Sequence, residues 1–191
     1  MWKSKGFYDY AWNPVMGCHH ACWYCIAKEH TEGRGLMQDF TAPQFYPKRI
    51  DEPRSVRDKI IMTVAYGDLF GEWVPAEWIE SVLKVIRETP RNTYVLLTKN
   101  PERYDEFDLP ANVYAGTTVE DQSKMFRAHE LLKLKNKKLL SIEPIMGDFT
   151  GVDFSPYDAI VAGYMIGRPI TVTDKQNMKS INSDKLYKIV R

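Results

Sequence analysis

The sequence predicts an α/β protein built on a mostly parallel sheet. Short apolar runs alternate with longer stretches of helical periodicity through the middle of the chain. A repeated strand–helix order implies a parallel sheet. The runs are continuously apolar rather than alternating, which marks strands covered on both faces. Polar residues also gather where the runs end, as they do at the site-bearing rim of such folds.

The elements follow in order. A first strand is expected over residues 10–15. Ile60-Ile61-Met62-Thr63-Val64-Ala65-Tyr66 is the second. Pro75 then opens a helix, the position where a missing N–H costs least. Trp78, Ile79, Val82, Leu83 and Ile86 recur across it at helical spacing. Thr93-Tyr94-Val95-Leu96-Leu97-Thr98 is the third strand, with a short helix beginning near Pro101. The fourth strand spans 112–118, and a helix over 121–135 turns Met125, Ala128, Leu131, Leu132 and Leu134 inward. Strands over 138–142 and 159–163 bring the count to six. A closed eight-unit barrel needs roughly 200 residues or more. The residues alone therefore leave two architectures, an open partial barrel or a doubly wound sheet.

The rim pairs are Gly67 and Asp68, Thr98 and Lys99, Thr118 and Glu120, and Ser141 and Glu143. Any one pair is equally well a turn or a helix cap. Four pairs on one rim point to a site.

Composition bounds the function. With 191 residues, of which 44% are hydrophobic, a single domain over 1–191 with a sizeable core is expected. The net charge of +1 is weak for a protein that holds nucleic acid by its phosphates. Lys133, Lys135, Lys137 and Lys138 read as a solvated helix end. No run of about 18 apolar residues suggests a membrane span. The opening MWKSKGFYDYAW has no apolar stretch of the kind that makes a secretory signal. Three cysteines packed into one loop are a poor disulfide framework and fit a reducing compartment, so a cytoplasmic location is expected.

That loop reads Gly17-Cys18-His19-His20-Ala21-Cys22-Trp23-Tyr24-Cys25, a C-x3-C-x2-C spacing just after the first strand. Three thiolates can hold three irons of a [4Fe–4S] cluster and leave the fourth open. S-adenosylmethionine can chelate that iron through its amino and carboxylate groups. One electron then breaks its sulfonium C–S bond and gives a 5′-deoxyadenosyl radical that abstracts hydrogen. The alternative is a zinc-binding module for protein or nucleic acid, with His19 or His20 as fourth ligand. A pure electron carrier would normally use four cysteines.

The loop, with an aromatic (Tyr24) before its last cysteine, resembles the signature of the radical S-adenosylmethionine superfamily. More closely, Trp12-Asn13-Pro14-Val15-Met16-Gly17-Cys18 through Cys25 resembles a phage-associated and archaeal family known only as a domain of unknown function. Gly67-Asp68-Leu69-Phe70, Leu97-Thr98-Lys99, Thr118-Val119-Glu120 and Ser141-Ile142-Glu143-Pro144 are similar to the same family, so the resemblance runs over residues 10–167. Spore photoproduct lyases are more distantly similar. Two departures stand out. Many relatives place six residues between the first two cysteines, where this chain has three. Relatives also carry a Gly-Gly-Glu-Ser-Gly segment where this chain reads Ala162-Gly163-Tyr164-Met165-Ile166-Gly167.

The resemblance implies a partial (β/α)6 TIM-like barrel, with Cys18, Cys22 and Cys25 as cluster ligands. It places Tyr24, Gly163 and Tyr164 along the adenine, and Gly67 and Asp68 at the cofactor's amino group. Thr98, Lys99, Thr118 and Glu120 would approach its carboxylate and ribose, and Glu143 joins this cofactor-binding set. It also implies an electron donor such as flavodoxin or ferredoxin. The substrate is not readable, and the likeness to the lyase favours nucleotide or nucleic acid.

Residues 28–55 are too many for a simple turn. Their glycines, prolines and aromatics suggest a lid over the open rim, with Arg34 or Arg49 facing the cavity. Trp23 is expected close to the site.

Overall fold

Seven parallel strands follow one another in chain order across one curled sheet. The computed structural model describes residues 1–3 and 6–189, the last two by backbone alone. The parallel strands are β2 (Tyr10–Trp12), β5 (Ile60–Thr63), β6 (Thr93–Thr98), β7 (Val113–Thr118), β8 (Lys137–Ile142), β9 (Ala159–Gly163) and β10 (Leu186–Ile189). A short strand β1 (Trp2–Lys3) adds to β2 antiparallel. A separate ribbon pairs β3 (Val15–Met16) with β4 (Gln44–Phe45).

The strand order decides between the two architectures. A doubly wound sheet reverses direction and carries helices on both faces. Here the order never reverses, so right-handed crossovers stack on one face. On that face Ile61, Tyr94, Leu96, Ala115, Leu140 and Ile160 pack with Ile79, Val82, Leu83 and Ile86 of helix α2 (Ala76–Glu88). The opposite face carries Met62, Val95, Leu139 and Val161, covered by Phe7 and Tyr8 from the N-terminal segment. The result is a half-barrel whose concave side is lined by the sheet itself.

The sequence reading needs several corrections. Its first strand is broken, because Pro14 cannot donate to a ladder and the chain turns there from β2 into β3. The helix expected over 121–135 is a true helix only at α3 (Met125–Glu130), with 3-10 turns on either side. The segment after Pro101 is likewise a 3-10 helix, Pro101–Glu106. The count of six strands falls short by one. Helix α4 (Val172–Ser180) and β10 were not anticipated. Only Asp174, Asn177 and Met178 of α4 are buried, so it carries no apolar stripe to read. Helix α1 (Ile26–Gly33), after the cysteines, was missed for the same reason, since Thr31 is its one buried residue. No helix among the described residues is long and apolar enough to cross a membrane.

Burial on the convex face should dominate stability. Ile86→Ala removes a fully buried side chain and is expected to cost about 2–5 kcal/mol. Phe126→Ala, at a residue 56% exposed, should stay within about 0.5 kcal/mol. Urea unfolding midpoints compare the two, and equal midpoints would contradict the placement of the core.

Candidate functional site

The cysteine loop leaves β3 and docks on the ends of the parallel strands. Trp12 anchors it from the core, with its Nε1 donating to the Arg49 carbonyl at 2.7 Å. Asn13 Oδ1 accepts from the Tyr66 N–H at 2.9 Å, and the Gly17 N–H reaches the Tyr66 carbonyl at 2.9 Å. Gly17 and Gly67 then form a lone parallel bridge. Gly17 sits at φ 102°, and a Cβ there would lie 2.7 Å from Pro43 Cα. Only glycine fits both constraints. Two further residues adopt the left-handed region nearby, Ala21 between the first two cysteines and Val64 after β5, at φ 50° and 57°. For a β-branched residue this is strained backbone.

The loop closes one end of a cavity of about 400 Å³ on the concave side. Cys18, Cys22 and Cys25 all line it, together with Tyr24, Gly67, Asp68, Thr98, Lys99, Thr118, Glu143 and Tyr164. These residues come from the loop and from the ends of β5 to β9, and each of the four rim pairs contributes at least one residue to the lining. Two expected residues lie just behind the wall. Glu120 sits beneath Tyr24 and Lys99, bonded to both. Gly163 lies under Glu143, where a Cβ would stand 2.9 Å from the Glu143 carboxylate.

Each cysteine is free and half-buried, and each sulfur accepts an N–H. Cys18 Sγ faces the His20 N–H at 3.5 Å, and Cys22 Sγ faces Lys99 Nζ at 3.2 Å. Cys25 caps α1, its Sγ accepting from the Lys28 N–H at 3.4 Å. Burial pushes the Cys18 thiol up to about 12, against the pull of the His20 N–H. Among the described residues no three His, Cys, Asp or Glu side chains converge as ligands of a single ion.

Asp68 is buried, and its oxygens are occupied. It accepts from the Phe70 N–H at 3.1 Å, the Lys99 N–H at 2.9 Å and His20 Nε2 at 2.8 Å. His20, considered from sequence only as a possible fourth zinc ligand, is thus held on the second strand's end and packs against the Trp73 ring. Glu120 is the other buried carboxylate, with Lys99 and Tyr24 on one oxygen and Arg127 Nη1 at 3.2 Å on the other. Burial alone would raise its pKa, but the Lys99 ammonium and the Tyr24 hydroxyl outweigh it and the net shift is downward. Burial and the Glu120 carboxylate together push the Tyr24 phenol well up, so it stays protonated.

The long segment over 28–55 reaches the cavity only in part. Phe40 lines it, and its carbonyl accepts from the Cys18 N–H at 2.9 Å. Ile26, Ala27 and His30 of α1 line it as well. Phe45 stacks instead on Trp78 of α2, with ring centroids 5.5 Å apart. Neither arginine faces the cavity. Arg34 is exposed at the end of α1. Arg49 turns away, its guanidinium over the Trp2 and Tyr46 rings. Trp23 is also outside the cavity, 75% exposed. Among the residues missed from sequence that line it are His20, His30 and the pair Phe7 and Tyr8. The histidines stand at unremarkable positions, and the aromatic pair reaches the cavity only through the tertiary fold.

Asp68→Ala would leave the buried Phe70 and Lys99 N–H groups without their acceptor, at about 1–3 kcal/mol each. A clear loss of stability in the absence of any ligand is therefore expected by chemical denaturation, with Asp68→Asn losing less. Wild-type stability in Asp68→Ala would refute the bracing role.

The geometry can be set beside known proteins. No curated protein matches. A solved structure of a spore photoproduct lyase mutant with bound AdoMet and dinucleoside spore photoproduct is similar in fold, at a TM-score of 0.58 and 14% identity. The likeness covers 93% of this chain and 62% of that one, so the chain spans less than two thirds of that protein's length. The family model for a protein of unknown function, DUF5131, matches residues 4–185. The chain belongs to that family.

Proposed function

We infer that this protein is a radical S-adenosylmethionine enzyme, with a [4Fe–4S] cluster held by Cys18, Cys22 and Cys25. The observation that carries the reading is the meeting of all three thiols on one cavity at the carboxyl ends of parallel strands. The donor set suits such a group. Three free sulfurs supply three ligands and leave one corner open. Each already has an N–H partner, and hydrogen bonds to cluster sulfurs are a normal part of ligation. Burial raises the pKa of the Cys18 thiol, and binding of a cationic group there would release its proton.

When bound, the cluster and S-adenosylmethionine supply a 5′-deoxyadenosyl radical through one-electron cleavage of the sulfonium bond. The chain's own residues bind, orient and shield. The open cavity of about 400 Å³ beside the thiols is within the size range of small-molecule sites. Leu97, Met62 and Phe40 give it apolar walls that keep water from a reactive species. Thr118 and Glu143 present polar groups from β7 and the end of β8, suited to ribose or amino contacts. Tyr164 offers a ring for the adenine. The lyase mutant with a similar fold was solved with AdoMet and dinucleoside spore photoproduct bound, which supports a nucleotide or nucleic-acid substrate for this chain. An external one-electron donor of the flavodoxin or ferredoxin kind completes the proposal.

Anaerobic reconstitution is the test. The protein should hold close to four irons and four sulfides, absorb near 400 nm and turn S-adenosylmethionine into 5′-deoxyadenosine with dithionite. Each of Cys18→Ala, Cys22→Ala and Cys25→Ala should lose the cluster. One tightly bound zinc and no iron in the wild type would instead support the rival module.

A further inference from the structure

We propose that Lys99 is a positioning residue for the cysteine loop, committed to Cys22 and Tyr24 rather than to a bound ligand, and that its charge eases reduction of what Cys22 holds. The inference rests on the cluster reading above and goes beyond it, because the resemblance assigns Lys99 to the cofactor carboxylate.

An ammonium has three hydrogens and no acceptor. Lys99 Nζ has three partners, namely Cys22 Sγ at 3.2 Å, the Tyr24 hydroxyl at 2.5 Å and the Glu120 carboxylate. It also lies 4.9 Å from the centre of the Tyr24 ring. Every donor is therefore taken, and a carboxylate arriving here would have to displace one of them. The arrangement is closed from behind. Tyr24 donates to the same Glu120 oxygen, and Arg127 holds the other oxygen at 3.2 Å and also reaches the Thr118 carbonyl at 3.2 Å. The side chain of Glu120 is 4% exposed and that of Lys99 is 15% exposed, so water screens the set weakly.

The backbone shares the task. The Lys99 N–H donates to Asp68, which holds His20. One residue at the end of β6 thus fixes the loop at two places, His20 through its main chain and Cys22 through its side chain. The sign of the electrostatic effect follows. Reduction adds a negative charge to the group that Cys22 ligates, and a cation on that sulfur stabilises the added charge. Net charge and hydrogen bonds to sulfur are established levers on cluster potentials.

The experiment is a mediator titration of the reconstituted protein without S-adenosylmethionine, followed by EPR of the reduced cluster. Lys99→Met should keep four irons and become harder to reduce. A tenfold lower ratio of reduced to oxidised cluster at one fixed potential corresponds to 59 mV for one electron. Lys99→Arg should restore most of the difference, which a purely steric role would not predict. Glu120→Gln keeps an acceptor for Lys99 but removes the opposing anion, and should shift the potential in the positive direction. That opposite sign keeps the proposal testable if Lys99→Met fails to fold. An unchanged potential in Lys99→Met, with only S-adenosylmethionine affinity lost, would overturn the proposal and return Lys99 to the cofactor. A negative shift in Glu120→Gln would also overturn it. A wild-type protein that holds no cluster would overturn the underlying functional reading, a result distinct from either.

Discussion

The site depends on a backbone contact between two glycines. Gly17 and Gly67 meet in a parallel bridge with no side chain between them. A Cβ on Gly67 would fall 2.8 Å from the Gly17 carbonyl, and one on Gly17 would strike Pro43. Because both are bare, the loop can lie directly on the end of β5. This contact brings the cysteines over the concave face instead of leaving them on an outer turn. Everything else at the site follows from it. Asp68, next to Gly67, is brought under His20, and Lys99 on the neighbouring strand comes within reach of Cys22. The strain at Ala21 and Val64 flanks the same contact, as expected where surrounding structure over-determines a functional turn.

The second constraint is electrostatic. Burying a carboxylate is costly unless charge and hydrogen bonds compensate it. Glu120 is compensated on both oxygens by Lys99, Tyr24 and Arg127, which come from three separate parts of the chain. The cluster of charges therefore works as a keystone joining the cysteine loop, the end of β6 and α3. It also explains why Tyr24 lies where it does. Its hydroxyl is fixed by Glu120, leaving the ring to form part of the cavity wall.

Much of this was legible in the sequence, and what was missed shares a physical cause. The parallel strands β5 to β9 were readable because each is a continuous apolar run, and α2 because Ile79, Val82, Leu83 and Ile86 form a full stripe. The rim residues were readable because strand ends and polar pairs coincide. Helices α1 and α4 were not, since they bury one and three residues and carry no periodic signal. The two roles of His20 and Lys99 were not readable either. Both depend on which long-range partner each side chain meets, and the sequence records the side chain without the partner. The expectation for Arg49 failed for a related reason. Its segment was long and aromatic enough for a lid, but β4 pairs with β3 and draws residues 44–55 along the outside of the barrel.

An unclosed barrel must still seal its floor. Among the described residues, the two edges of the sheet, near β1 and at β10, share no backbone hydrogen bonds. Side chains bridge part of the gap. Phe7, from the segment between β1 and β2, lies 6.1 Å from the Tyr187 ring on β10 and 5.1 Å from Tyr8. Phe7 and Tyr8 also cover Met62, Val95 and Leu139 on the concave face. Aromatic packing thus spans part of the seam without fixing a register. A full barrel would confine the cavity to what fits inside its ring. The half-barrel instead leaves the cavity beside the thiols open on one side.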